Sequence, residues 1–591
     1  MLTKFKDSFS KTGLALQEFP MMLVMAFLAA GSLMCFAELD FGTRPANFFF
    51  VKFALVSVLG ISLMFALNML AQRIGKRTLL EVGGVVFLVF FYFILPQKEE
   101  DFTEKYAFLI IPTFLLSHLF VSFSAFLGKK REINFWQYNK NLFINIFLTG
   151  IFTAVLTGGV ELAVLAVDKL FDFNFNEHLY LQIFYLLSIF GSAFIFSLFS
   201  QGGLRSLEKD GSYPVILKFF TQYILIPLLN IYVAILYVYA AKIVIRWELP
   251  RGWVSYLILA YSVVGIFALL LVHPLKQNSA KSWVRLFSRI FYFSLTPLLV
   301  LLFIAIFTRI LEYGYTEPRY FVLVLAVWLT TVVLYFIFAP RPTIKYIPVS
   351  LFVFGIFSLT FPYLNTFSVS KRSQRTELSK ILVENKLLEN QKIDFNLKVT
   401  DSIADEISDK FIYLAQRGDS AFLTGFLNEK DRKIIFNNKE NLQYSGKVRT
   451  RFSNVINTRS AERMNTLEIY SENKMRNISG FEYMLRFEDF YKETRVNIGN
   501  DSFHIENISD FRRPTLKITL NNKEIWNLMP FIEGQIAEAN QRTGRIGTPE
   551  ISTEKELGNY KVKVYLNSIT AENLRERRIY FNGGYILIGK K

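Results

Sequence analysis

The stretch WVSYLILAYSVVGIFALLLVHPL, residues 253–275, runs for 23 positions without a charged side chain. A helix needs about 20 predominantly apolar residues to cross ~30 Å of hydrocarbon. No soluble helix has to be apolar around its whole circumference, so the stretch reads as a membrane span. Ten further segments share its character: Pro20–Ala37, Phe48–Leu70, Thr78–Leu95, Tyr106–Leu127, Leu142–Val167, Leu179–Phe199, Ile216–Ala241, Leu286–Leu311, Tyr320–Ala339 and Tyr346–Phe367. Residues 1–367 therefore read as an α-helical polytopic bundle of about 11 transmembrane helices.

Charge marks where that bundle stops. Residues 1–367 hold 29 Lys+Arg and 19 Asp+Glu, whereas the shorter remainder, 368–591, holds 37 and 30. The chain as a whole has 591 residues, 52% hydrophobic, with 62 Phe and a mean hydropathy of +0.31. Its net charge of +17 splits between the two parts. In the bundle the excess sits mostly in short loops, where topology explains it better than nucleic acid does. A single cysteine, Cys35, cannot form an intramolecular disulfide.

Lys and Arg are retained in cytoplasmic loops. Basic residues mark the N-terminus (Lys4, Lys6, Lys11) and alternate loops: Arg73, Lys76 and Arg77; Lys129, Lys130, Arg131 and Lys140; Arg205 and Lys209; Lys276, Lys281 and Arg285; Arg341 and Lys345. The intervening loops are more acidic, with Glu38 and Asp40, then Glu99 to Glu104, then Asp168, Asp172 and Glu177. The loop bearing Lys242, Arg246 and Arg251 breaks the pattern. The expectation is a multi-pass protein of the bacterial inner (plasma) membrane, with a cytoplasmic N-terminus and an extracytoplasmic C-terminal domain.

The tail has two textures. Leu378, Ile381, Leu382, Leu387 and Leu388, then Ile403, Ile407, Phe411, Ile412 and Leu414, recur at helical spacing in a charged background. Residues 368–443 thus form an amphipathic helical neck. Over 444–591 the period falls to two, as in Tyr483–Phe487, Leu516–Leu520 and Tyr560–Tyr565. Turns are expected at Gly499-Asn500, Asn521-Asn522 and Asn582-Gly583-Gly584, and a helix over Phe531–Ala539. Together the neck and this antiparallel β-rich part make a C-terminal extracytoplasmic α+β domain.

Few residues suggest chemistry. Four histidines, His118, His178, His273 and His504, share no metal-ligand spacing, and there is no phosphate-binding glycine loop or serine-nucleophile elbow. No metal or cofactor is implied. Gly158-Gly159 suits close helix packing. Glu161, expected well inside the fifth span, is a costly intramembrane carboxylate and marks a polar cavity, an ion path or a buried partner. Pro227 and Pro297 each remove a hydrogen bond within a span, a break that can line a transporter's binding site but is as commonly a plain kink.

Several segments resemble a family of bacterial polytopic membrane proteins known as domain of unknown function 4153. They are Phe135–Lys140, Val167–Phe171, Tyr213-Pro214, Ile226–Tyr232, Leu236–Lys242, Leu249–Gly252, Glu312–Tyr320, Leu382–Leu388 and Ile478–Tyr483. The resemblance implies an envelope membrane protein and brings no activity, substrate or catalytic residue. It directs attention to Asp168, Lys169, Lys242, Arg251, Glu317 and Arg319, on the expected outer side, as a headgroup or solute site or as ion pairs fixing loop geometry. The leading expectation is a non-enzymatic protein of envelope transport or assembly, meeting the lipid bilayer, a lipid or envelope precursor, and a membrane or periplasmic protein partner. The alternatives are a sensor or scaffold and, third, a membrane-embedded transferase using Asp168, Glu317 and Arg319.

Overall fold

In a computed structural model, residues 13–39, 47–128, 132–173, 175–209, 219–246, 253–273, 282–436, 444–452, 454–456, 466–472, 478–487, 492–508, 515–538, 544–572 and 578–591 are described. Lys4, Lys6, Lys11, Asp40, Lys129–Arg131, Arg251, Lys276 and Lys281 lie outside them.

The chain divides into two units, the first comprising Met1–Asp394 with Ile407–Arg449 and the second Phe395–Glu406 with Thr450–Lys591. The helices of the first unit are α1 (Pro20–Leu39), α2 (Asn47–Ile74), α3 (Arg77–Ile94), α4 (Glu104–Phe123), α5 (Glu132–Phe171), α6 (Glu177–Phe199) and the short α7 (Gly203–Leu207). They continue with α8 (Phe220–Arg246), α9 (Trp253–Val272), α10 (Ser282–Tyr313), α11 (Glu317–Phe338), α12 (Tyr346–Thr360) and α13 (Thr366–Glu384). Among the described residues ten helices are long and apolar enough to cross a membrane, the architecture of a multi-pass membrane protein. The expected eleventh is shorter: α12 has 15 residues, or ~22 Å at 1.5 Å per residue, because Pro362 and the turn around it end the helix early.

Side-chain contacts sort the loops into two groups, one at each end of the bundle. At the first end, Asn68 donates to Glu18 O (2.8 Å), Arg73 to Ala125 O (3.0 Å), and the Ile344 amide to Glu132 (3.0 Å). At the second end, Gln182 donates to Glu38 (2.8 Å), Phe48 packs on Phe102, and Gln374 donates to Tyr313 O (2.9 Å). The basic loops described gather at the first end. Helix α12 starts there, beside Glu132, and the chain after it reaches the second, where Tyr320 bonds Leu364 O. The short segment therefore traverses the bundle. Two cores fill it, one around Phe65, Leu88 and Tyr138, the other around Ile258, Leu295 and Leu329.

Four short strands come first, β1 (Leu388–Glu389), β2 (Lys392–Ile393), β3 (Lys398–Thr400) and β4 (Asn454–Ile456). The second unit holds a meander, β10-β9-β8-β7, of Glu524–Asn527, Thr515–Leu520, Asp501–Ile508 and Lys492–Ile498. It also holds a six-stranded sheet in the order β11-β5-β13-β14-β6, with β12 on β13: Gly544–Thr548, Thr466–Ser471, Tyr560–Glu572, Arg578–Lys590, Tyr483–Phe487 and Ile551–Leu557. Phe503, Ile518, Val562 and Ile586 meet in one core with Ile532 of a helix, Met529–Glu538. The sheets are not wholly antiparallel, since β11 pairs with β5 in parallel. Asn582-Gly583-Gly584 is no hairpin turn either. Strand β14 runs through it in one register, from Glu572↔Arg578 to Tyr560↔Lys590, with Asn582 and Gly584 paired on either side of Gly583. Gly583 merely takes a φ of 44°.

Candidate functional site

Helix α5 has 40 residues, ~60 Å and about twice the hydrocarbon thickness. Every fourth residue from Gln137 is polar: Gln137, Asn141, Asn145, Thr149, Thr153, Thr157 and Glu161. Such residues form one i±4 ridge on a helix surface. The fold turns the ridge inward, leaving Thr149, Thr153 and Thr157 only 7%, 9% and 7% exposed, while Phe152, Val155 and Leu162 face outward. Lower down, Asn141 donates to Leu207 O (2.8 Å) and Asn145 to Phe199 O (3.1 Å). Higher up, the hydroxyls of the three threonines and Oε1 of Glu161 are buried without a hydrogen bond. Each such group costs ~1–3 kcal/mol, and helical threonines normally relieve that cost by bonding the carbonyl four residues back. Four such groups stand in one row.

Helix α6 faces this ridge and carries a π-helical turn over Leu186–Gly191, a distortion frequent at functional sites. A cavity of about 370 Å³ has mostly apolar walls, among them Phe65, Ile146 and Phe196, with Thr149, Ser188, Ser192, Ser62 and His118 as its polar points. Glu161 lies three rungs beyond Thr149, ~18 Å along the axis. The Tyr180 hydroxyl, near the start of α6, is also buried without a partner and lies within electrostatic reach of Glu161 and Asp168. Glu161 thus stands near the second end of the bundle, not at mid-span. Gly158 and Gly159 face open space, where an added Cβ would meet nothing within 4 Å. They serve no close packing, because the inward ridge falls on the threonines instead.

The remaining candidates separate. Asp168 accepts from the Phe175 amide (2.6 Å), closing the loop between α5 and α6, and pairs with Lys169 (3.3 Å). Lys242 is exposed on the last turns of α8, not in the loop, and Arg251 lies outside the described residues. Pro227 stands two residues after a second π-helical turn, Phe220–Leu225. Pro297 lies within the continuous α10.

Glu317 is fully buried at the first position of α11, where the helix dipole favours an acid. Arg417 grips it with Nε on Oε1 (2.7 Å) and Nη2 on Oε2 (2.8 Å), and the Tyr413 hydroxyl donates to Oε2 (2.7 Å). Arg417 also stacks on the Tyr413 ring at 3.4 Å from its centroid. Burial alone would lower the Arg417 guanidinium, but the bonds and charge of Glu317 outweigh it and hold it above its usual value. Burial pushes the Tyr413 hydroxyl up, against the pull of Arg417. Beside them Asp419 takes Arg375 and Lys371 (3.4 Å), and its hydrogen bond raises Arg375. Arg319 donates to Gly314 O (2.8 Å) and Tyr313 O (3.2 Å). Gly314 has a φ of 73° and no room for a Cβ, which would lie 2.8 Å from Ser373 Oγ. This loop is therefore locked to the neck. No contact among the described residues joins Glu317 or Arg319 to Asp168 or Lys169.

Sequence reading missed Arg417 and Tyr413, which lie about a hundred residues from Glu317 and carry no local motif. It also missed the threonines, although their spacing of four in an apolar helix was a legible signal.

No solved structure matches the chain. It is 29% identical over 199 residues to the uncharacterized protein PM1469 of Pasteurella multocida (strain Pm70), which covers 32% of this chain. It spans 33% of that relative's length. A family model described as a domain of unknown function, DUF4153, matches residues 22–400, more than half of the chain. The chain belongs to that family.

Proposed function

We propose that the chain is a transport protein of the bacterial inner membrane, with a cytoplasmic N-terminus and an outward tail. In this reading the Thr149–Glu161 ridge is its translocation row and Glu161 the group that binds a proton or a cationic solute. The observation that carries the reading is the row of buried, unbonded hydroxyls ending in a carboxylate, whose Thr149 lines a largely apolar cavity dotted with hydroxyls. The groups in it are hydroxyls and a carboxylate, chemistry suited to a cation or to proton relay rather than to an anion. The transferase alternative draws less support, since Asp168, Glu317 and Arg319 are each engaged within the fold.

The test is proton flux into proteoliposomes containing a trapped pH-sensitive dye and driven by a potassium diffusion potential. The wild-type chain should exceed protein-free vesicles several-fold, and Glu161→Gln should return the flux to their level. Equal flux in wild type and Glu161→Gln would contradict the proposal.

A further inference from the structure

A second cavity, independent of the Glu161 row, lies between α2, α3, α4 and α12 and has a volume of about 590 Å³. Its walls are apolar, and Phe87, Phe90 and Ile94 of α3 and Ile356 of α12 are exposed on its outer side, so it opens laterally. It runs along α4 from Lys105 to Phe120, ~22 Å at 1.5 Å per residue. One leaflet of a ~30 Å core is ~15 Å deep, so the cleft has room for an extended acyl chain. Its upper part exists because α12 stops at Thr360, leaving Thr360 and Phe367 as the rim.

The rim carries the informative charge. Lys105 is half-buried, with Nζ 5.6 Å from the Tyr106 ring centre and 5.9 Å from that of Phe367. The carboxylates that might neutralise it are taken, Glu317 by Arg417 and Tyr413, and Asp419 by Arg375 and Lys371. Among the described residues none lies within ion-pair distance of Lys105, while Lys371, Arg417 and, with the opposite sign, Glu317 stand in its electrostatic field. An apolar slot open to the bilayer, beneath a cation with no carboxylate in ion-pair contact among the described residues, matches an amphiphile with an anionic head.

We propose that the α3–α4–α12 cleft binds the acyl chain of an anionic membrane phospholipid, with Lys105 holding its phosphate. The aromatic rings beside Lys105 shield the pair from water, and the lateral mouth admits the lipid without any opening of the bundle.

The test is native mass spectrometry of the full chain, exchanged in mild detergent with phosphatidylglycerol and phosphatidylcholine of identical chains. Wild type should retain phosphatidylglycerol at least five-fold over phosphatidylcholine. Lys105→Gln should keep a bound lipid but lose the preference, Lys105→Arg should restore it, and Leu109→Trp, which fills the cleft, should lose both lipids. Equal retention of the two lipids by wild type, a preference unchanged in Lys105→Gln, or detergent alone in the cleft would overturn the proposal. The wild-type comparison decides even where a variant fails to fold. Its outcome does not depend on flux through the Glu161 row.

Discussion

Truncating Arg417 to alanine would leave the fully buried Glu317 with only Tyr413 as a partner. Removing one member of a buried ion pair costs about 3–5 kcal/mol, whereas replacing both by apolar groups is often neutral. Arg417→Ala should therefore lower the thermal midpoint of the detergent-solubilised protein, and Glu317→Leu/Arg417→Leu should recover much of the loss. Additive losses would show that the two side chains do not act as a pair. Glu161 is the opposite case, a carboxylate with a buried oxygen and no bond to satisfy it. Both glutamates stood out in the sequence. Their difference did not, because it depends on which distant side chain arrives, and Arg417 is brought to Glu317 only by tertiary packing.

Elements were legible where periodicity is strong and misread where a tertiary constraint intervenes. The apolar runs became helices, and the alternation in Thr515–Leu520 became a strand. Gly583 misled, because its positive φ suits a turn, yet β14 continues past it with Asn582 and Gly584 paired to β13 on either side. The turn at Asn521-Asn522 was read correctly, and both residues have positive φ. There Asp501 accepts from Asn521 Nδ2 (2.6 Å) and from the Tyr560 hydroxyl (2.9 Å), joining the meander to β13. The Asn521 bond first, then the Tyr560 bond, holds the Asp501 carboxyl below its ordinary value. The native state thus favours the ionised form. Its stabilising contribution is complete above the ordinary carboxyl range, near pH 4, and is lost as pH falls through the lowered native value. Hydrogen exchange of β8 and β9, corrected for intrinsic rates, should show protection falling between pH 5 and pH 3. Asp501→Asn should flatten that fall, and an unchanged profile would remove Asp501 as its cause.

For the molecule as a whole, the two structural units do not divide where the charge does, since most of the neck falls in the unit of the helices, and the basic loops described collect at one end of those helices. That much follows from solvent: helices apolar all round need lipid, and their loops carry the charge. What solvent does not fix is which face of a helix turns inward. On α5 the inward face is the ridge from Gln137 to Glu161, and the account stands or falls on whether that ridge is wet. Cysteine accessibility reads this directly. In a Cys35→Ala background, which removes the exposed native thiol, single cysteines at Thr153 and Thr157 are compared with cysteines at the outward positions Phe152 and Val155. Proteoliposomes are treated with a charged, membrane-impermeant thiol reagent. The account predicts that the ridge positions react at least ten-fold faster than the outward ones. Ridge positions that react no faster than Phe152→Cys and Val155→Cys would contradict it.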